Sequence, residues 1–85
     1  MDKTMMFSIK EIEEAYIHET LLEVYEALKE RGYNPTNQLV GYLISGDPGY
    51  ISSYKNSRNK ICKLDRVEIL EILVNGYMKD KKWEY

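Results

Sequence analysis

The sequence contains only one cysteine, Cys62, and one histidine, His18. A lone cysteine excludes a disulfide within the chain, and a reducing compartment is its simplest setting. A zinc site would need carboxylates for most of its ligands, which is uncommon for structural zinc. No serine or cysteine lies at a spacing from His18 that indicates a nucleophile and its base. We therefore predict no catalytic residue, no bound metal and no cofactor.

Long apolar runs and an excess of positive charge are also missing. The amino-terminal segment lacks the apolar run of a signal peptide, and no stretch approaches the roughly 18 apolar residues of a membrane span. The formal net charge is -2, whereas proteins that bind nucleic acid or anionic lipid through their overall charge usually carry a basic excess. We expect a cytoplasmic protein without membrane insertion, and nucleic acid is a disfavoured partner.

What is present is a short chain of 85 residues, of which 44% are hydrophobic and 31% are charged. Chains this short rarely divide into two cores, so we predict one domain. A domain of this size buries only about 60% of the surface that its unfolded chain exposes, which leaves a monomer marginally stable. Oligomerisation is therefore expected.

Apolar residues recur at spacings of three and four in several segments, a pattern typical of amphipathic helices. One such segment extends from about Glu11 to Arg31 and ends at Gly32, because a glycine readily adopts the left-handed conformation that closes a helix. A second helix begins at Asn34-Pro35, since asparagine caps a helix and proline fits its first turn. His18 is then a surface or half-buried residue of the first helix.

The second half of the chain predicts two further helices. Turn-forming residues at 45–49 end the second helix, and a third begins near Ser52 or Ser53. Asp65 followed by Glu68 has the spacing of a capping box, so a fourth helix covers residues 66–79. The predicted fold is all-α, a compact bundle of about four short helices at residues 11–79. A flexible amino-terminal arm at 1–10 and a loose carboxy-terminal tail at 80–85 flank it.

The fourth helix has an unusually wide apolar surface. At 100° per residue its apolar side chains cover an arc of roughly 240°, whereas an ordinary surface helix needs little more than about 100°. One neighbouring layer cannot cover such an arc, so we predict a symmetric homodimer, the commonest oligomer. A monomer with a tyrosine-rich core is the alternative. The apolar residues are Val67, Ile69, Leu70, Ile72, Leu73, Val74, Tyr77 and Met78.

Charge is divided unevenly between two segments. Residues 11–31 contain seven glutamates against Lys29 and Arg31, a net charge of -5, and residues 52–66 contain five basic residues against one aspartate, a net charge of +4. The two segments could complement one another within or between subunits. Alternatively, the basic segment is a candidate interaction patch, formed by Lys55, Arg58, Lys60 and Lys63.

A sharper interpretation of the basic segment is a helix-turn-helix unit made of the second and third helices. Amide and basic side chains are suited to bases and phosphates, and Lys55, Asn56, Asn59 and Lys60 would face the nucleic acid. The connection at 46–51 is longer than the usual three or four residues of that motif. Nucleic-acid binding is therefore kept as the alternative function.

Cys62 is interpreted in two ways. It lies four residues before Arg66 on an otherwise basic helix, and nearby positive charge lowers the pKa of a thiol, so a redox-sensing role is conceivable. Free cysteines are, however, most often buried and inert. We favour a buried residue that fills space between helices.

An ordered series of short segments extends over residues 20–78. It comprises Val24 to Leu28, Gly32 to Pro35, Asn37 to Tyr42, Ser45 to Pro48, Tyr50-Ile51, Asn56, Arg58-Asn59, Arg66, Glu68-Ile69 and Leu73-Val74. This series resembles the IreB family of small proteins from Gram-positive bacteria.

The resemblance implies a non-catalytic, cytoplasmic regulatory phosphoprotein that forms a homodimer. It also implies a membrane-anchored, PASTA-type Ser/Thr kinase and its partner phosphatase as partners, an unknown downstream protein, and a role in cell-envelope stress and cephalosporin resistance. The family's phosphoacceptor threonines lie in the amino-terminal arm, and Thr4 in the segment 2–7 corresponds to one of them. A second threonine slightly upstream has no counterpart, because the sequence begins at Met1.

Overall fold

The computed structural model describes residues 8–80, and all regular structure in that part of the chain is helical. The predicted all-α class and four helices are confirmed. Two short 3-10 turns, at Pro48–Tyr50 and Tyr54–Asn56, lie between the second and third helices. The α-helices are α1 (Ile9–Glu30), α2 (Pro35–Ser45), α3 (Ser57–Cys62) and α4 (Arg66–Asp80).

Helix α1 begins at Ile9, two residues before the predicted start. The reason is a capping box that was not predicted from the sequence. Ser8 Oγ accepts a hydrogen bond from the Glu11 backbone N–H at 3.0 Å, and the Ser8 backbone N–H donates to Glu11 Oε1 at 3.0 Å. This reciprocal pair satisfies two backbone N–H groups that a helix start otherwise leaves unpaired. Residues 1–7 of the predicted arm lie outside the described residues.

Helix α2 starts where the sequence predicts it. Asn34 Oδ1 accepts from the Asn37 backbone N–H at 3.0 Å, and Pro35 occupies the first turn. The helix ends at Gly46, which adopts the left-handed conformation. Local side-chain chemistry therefore defines both ends of this helix.

The predicted start of the third helix near Ser52 or Ser53 is wrong, because α3 begins at Ser57. Lys55 and Asn56 both have positive φ, at 54° and 63°, and this conformation interrupts a helix. Side-chain hydrogen bonds hold the interrupted segment. Ser52 Oγ accepts from the Tyr54 backbone N–H at 3.0 Å, and Ser57 Oγ donates to the Tyr54 carbonyl at 2.7 Å.

Helix α4 begins at Arg66 as predicted. Asp65 Oδ1 accepts from the Val67 backbone N–H at 3.1 Å, the role expected of an aspartate at the cap position. The helix extends to Asp80, one residue beyond the predicted end. Residues 81–85 of the predicted tail lie outside the described part of the chain.

One cluster of buried side chains forms the core and draws on every α-helix. Val24, Leu28, Ile51, Ile61 and Ile69 have no measurable exposure. Ile17, Tyr42, Leu43 and Ile72 complete the cluster. Helix α1 lies against both α2 and α3, so these two shorter helices pack onto it.

Candidate interaction surface

An open apolar groove runs between α1, α2 and α4, with a volume of about 920 Å³. Most of its lining is aliphatic or aromatic. We call this feature the apolar groove, and it is lined by Ala15, His18, Glu19, Leu21, Leu22, Tyr25, Leu39, Leu43 and Leu73.

Several side chains of the apolar groove are exposed although they are large and hydrophobic. Leu22 is 62% exposed, Leu73 46% and Tyr25 37%. Isolated exposed leucines are ordinary, but contiguous apolar patches on a small protein usually mark a contact with another molecule. The groove is therefore the strongest candidate interaction surface among residues 8–80.

Helix α4 continues this exposed apolar surface. Ile69 and Ile72 are buried in the core, whereas Leu70, Val74 and Met78 on the same helix are between 42% and 59% exposed. The wide apolar arc predicted from the sequence is thus covered on one side only within a single chain. The uncovered side adjoins the apolar groove through Leu73.

The predicted basic patch is largely engaged by contacts within the chain. Lys55 Nζ lies 3.2 Å from Glu30 Oε1, and Lys60 Nζ lies 3.2 Å from Glu23 Oε1. Arg58 Nε donates to the carbonyl oxygens of Ile51 at 2.8 Å and Pro48 at 3.2 Å. Lys63 is exposed. The complementarity of the acidic and basic segments is thus realised within one chain, between α1 and the region around α3.

Tyr54 lies at the centre of the contact between α1 and the second 3-10 turn. Its hydroxyl donates to Glu30 Oε1 at 2.9 Å, and the Arg31 guanidinium lies 5.1 Å from its ring centroid. The hydrogen bonds from Tyr54 and Lys55 lower the pKa of the Glu30 carboxyl, and the bond to Glu30 raises the pKa of Lys55. This cluster fixes the segment in which Lys55 and Asn56 take positive φ.

The helix-turn-helix interpretation finds little geometric support in the described residues. Helix α3 has only six residues, and two 3-10 turns separate it from α2, whereas the motif joins two helices by a turn of three or four residues. Of the side chains proposed to face nucleic acid, Lys55 and Lys60 bind glutamates of α1. Asn59 Nδ2 donates to Asn56 Oδ1 at 2.8 Å.

Cys62 is exposed, so the prediction that it fills space between helices is wrong. It occupies the last turn of the short helix α3, and the preceding residue, Ile61, takes the buried position instead. The Tyr42 hydroxyl donates to Cys62 Sγ at 3.7 Å. Burial, followed by this hydrogen bond, raises the pKa of the Tyr42 hydroxyl.

Two further candidate residues from the sequence analysis are His18 and Thr4. His18 is exposed on α1, as predicted for a surface residue, and lines the apolar groove. Thr4 lies outside the described residues.

Within residues 8–80, no three His, Cys, Asp or Glu side chains are grouped so that they could bind a metal ion. None of the helices described here combines the length and apolar character that crossing a membrane requires.

The sequence predicts an uncovered apolar surface on the fourth helix but not the apolar groove that residues of α1 and α2 line. The helical spacing of these apolar residues is visible in the sequence, but it does not show which of them are exposed. Leu39 and Leu43 lie four residues apart on α2, and Leu21, Leu22 and Tyr25 follow the same spacing on α1. Periodicity shows that such residues share a helix face, but whether that face meets its own core or open solvent depends on how the helices cross.

A family model described as the IreB regulatory phosphoprotein matches residues 2–79. The match extends over nearly the whole chain and includes the segment around Thr4, the first three α-helices and all of α4 except Asp80. The match supports a regulatory role, because the family is described as a regulatory phosphoprotein. This chain therefore belongs to the IreB family of regulatory phosphoproteins.

Proposed function

We propose that the protein is a substrate of a membrane-anchored, PASTA-type Ser/Thr kinase and its partner phosphatase. It acts in the cytoplasm through contacts with other proteins, in cell-envelope stress and cephalosporin-resistance control. The observation that carries this proposal is the family match together with the exposed apolar groove. The protein has a surface suited to docking, and the family is described as regulatory.

Thr4 is the proposed phosphoacceptor. The chain has three threonines, and the other two are poor kinase substrates for structural reasons. Thr20 is buried, at 4% exposure, and Thr36 lies within the first turn of α2. A kinase binds its acceptor residue in an open cleft, which disfavours a threonine held within a helix and leaves Thr4 as the candidate.

The test of this assignment is kinase labelling of purified protein by the cognate Ser/Thr kinase domain. Thr4→Ala is expected to abolish the label, whereas Thr36→Ala, the control for another exposed threonine, is expected to keep it. Undiminished label on the Thr4→Ala protein would refute the site. Addition of the partner phosphatase is expected to remove the label from the unsubstituted protein.

A second copy of the chain is the proposed occupant of the apolar groove. Each chain carries both a groove and, beside it, the uncovered apolar side of α4. Two such surfaces can cover one another around a twofold axis, because an interface of this kind uses the same patch on both subunits. The resulting homodimer would bury leucine side chains that a single small domain leaves in water.

A further inference from the structure

Two adjoining hollows lie beside the amino-terminal half of α1, where it faces α4. The larger has a volume of about 520 Å³ and an apolar floor formed by Ile12, Tyr16 and the half-buried Leu64. The smaller, of about 90 Å³, shares three lining residues with the larger, so the two form one continuous surface. We call this surface the acidic hollow, and it lies between residues 10–17 and residues 63–75.

The rim of the acidic hollow carries mainly negative charge. Five carboxylates line it against two ammonium groups, and the carboxylates are those of Glu13, Glu14, Asp65, Glu68 and Glu71. Within residues 8–80, Glu14 alone among these five has an ion pair, with Lys10 at 3.8 Å. Asp65 caps α4, and Glu68 lies in the first turn of that helix, where its dipole favours a carboxylate. No such local role accounts for Glu13 and Glu71.

The glutamates farther along α1 have a different environment. Glu23 and Glu30 each pair with a lysine from the region around α3, at 3.2 Å. At the acidic hollow, the chain instead places carboxylates of α1 opposite carboxylates of α4. Like charges drawn together repel one another, so this arrangement does not stabilise the single chain. A cationic partner would relieve the repulsion.

We propose that the acidic hollow binds a basic segment of another protein. One apolar side chain of that segment lies on Ile12 and Tyr16, and its lysine or arginine residues lie beside Glu13 and Glu71. Charge complementarity identifies this occupant, because the apolar floor accepts many segments whereas the rim attracts a cationic one and repels an anionic one. The inference rests on the proposed function only in that the protein acts through contacts with other proteins.

The size and exposure of the acidic hollow suit a short segment. Ile12 is 59% exposed and Tyr16 52%, and they lie one helical turn apart, about 6 Å. Along α4 the surface extends from residue 65 to residue 75, about 15 Å, which matches about three turns of a bound helix. The acidic hollow has no lining residue in common with the apolar groove, so a second copy in that groove leaves these residues available.

The experiment measures binding of a fluorescein-labelled synthetic peptide to the full chain by fluorescence anisotropy. The peptide carries leucines along one helix face and lysines on either side of them, and a control peptide has glutamates in place of the lysines. The lysine peptide is expected to bind, more weakly as salt is added, and the glutamate peptide is not. No kinase is involved, so the result is independent of whether Thr4 is phosphorylated.

Substitutions in the full chain locate the site. Glu13→Gln and Glu71→Gln are each expected to weaken binding of the lysine peptide about two- to fivefold, the range for exposed ion pairs. Tyr16→Ser, which removes the apolar floor, is expected to weaken it about tenfold. Glu26→Gln is the matched control, because Glu26 is exposed on α1 but does not line the acidic hollow. Equal weakening by Glu26→Gln would reduce the effect to general charge attraction and refute the site.

Urea unfolding separates a docking role from a structural one. Glu13 and Glu71 have no ion pair within residues 8–80, so both glutamine variants are expected to unfold at the same urea concentration as the unsubstituted protein, or a higher one. A loss of stability that accompanies the loss of affinity would contradict the proposal.

Two further measurements test the occupant. Addition of the lysine peptide is expected to shift NMR amide signals of residues 12–17 and 65–75, and shifts centred on the apolar groove instead would overturn the assignment. Analytical ultracentrifugation of the protein carrying both Glu13→Gln and Glu71→Gln is expected to show unchanged self-association. Altered self-association would make a second copy the occupant and rule out the basic partner.

Discussion

The guanidinium group of Arg66, at the start of α4, packs directly over Gly46, at the end of α2. Arg66 Nη1 donates to the Leu43 carbonyl at 3.0 Å, and so satisfies one of the carbonyl groups that a helix end leaves unpaired. A Cβ atom added at Gly46 would lie 2.8 Å from Arg66 Cζ. Gly46 is therefore required both for its positive φ of 76° and for the space that the arginine fills.

This relationship predicts that Gly46→Ala destabilises the fold more than Gly32→Ala. Gly32 also has a positive φ, of 85°, but among the described residues no atom beyond its immediate surroundings in the chain lies within 4 Å of a Cβ placed there. Each alanine carries a left-handed strain of about 1–2 kcal/mol, and only Gly46→Ala also displaces the charged hydrogen bond of Arg66, worth about 1.5–3 kcal/mol. Urea unfolding at one fixed protein concentration measures the free energy of unfolding of both variants.

The control for this prediction is the Arg66→Ala background. There, the two glycine substitutions are expected to cost nearly the same, because the side chain that Gly46→Ala displaces has been removed. A difference that persisted without Arg66 would contradict the proposed contact.

Arg58 is predicted to stabilise the fold and not to bind a partner. Its Nε bridges the carbonyl oxygens of Ile51 and Pro48, so Arg58→Ala is expected to lower the free energy of unfolding by about 1.5–3 kcal/mol. Arg58→Lys is not expected to rescue it, because an ammonium group on a flexible stem does not reproduce the guanidinium geometry. Lys63→Ala, the exposed control, should change stability by less than about 0.5 kcal/mol. Thermal and urea unfolding distinguish these outcomes.

The contacts of Glu30 predict a defined pH dependence. Because its folded pKa is lowered from 4.5, its stabilising contribution is present above pH 4.5 and is lost as the pH falls through the folded value. The pKa of Lys55 is raised from 10.5, so its contribution is complete below pH 10.5 and is lost as the pH rises through the raised value. The contacts between Glu30 and Lys55 are therefore intact at neutral pH.

Titration of the Glu30 carboxyl by NMR tests this cluster directly. Tyr54→Phe and Lys55→Ala are each expected to raise the pKa of Glu30, because each removes a hydrogen bond to the ionised carboxylate. Lys60→Ala is the matched control, since Lys60 pairs with Glu23 instead. An unchanged Glu30 pKa in the Tyr54→Phe protein would show that the bond is absent in solution.

The proposed homodimer predicts a strong effect of Leu22→Glu. Leu22 lines the apolar groove and is 62% exposed in the single chain. Its burial against a second copy would contribute about 1.5–3 kcal/mol on each subunit, so the substitution is expected to weaken self-association by at least about tenfold. Analytical ultracentrifugation across a concentration series measures the change.

Ile44→Glu is the matched control for the homodimer prediction. Ile44 is 79% exposed on α2 but does not line the apolar groove, so the dimer should persist in this variant. A monomeric unsubstituted protein at micromolar concentration, or equal weakening by both substitutions, would contradict the assignment of the groove.

The elements that the sequence predicted correctly are governed by near neighbours along the chain. Asn34 and Asp65 start α2 and α4 through hydrogen bonds to residues two or three positions ahead. Gly46 ends α2 for an equally local reason. The Ser8–Glu11 capping box was not predicted, although it is equally local. Its serine-to-glutamate spacing of three residues is visible in the sequence.

Helix periodicity and caps are local properties, so an all-helical chain whose last helix has more apolar surface than one chain can cover is predictable from the residues alone. Which helix faces remain open, and which charges are paired, depends on the folded arrangement of the helices. Lys55 meets Glu30 across 25 residues of sequence, and Leu21, Leu39 and Leu73 come from three helices to form one groove. Such contacts depend on how helices cross, and no local pattern specifies that.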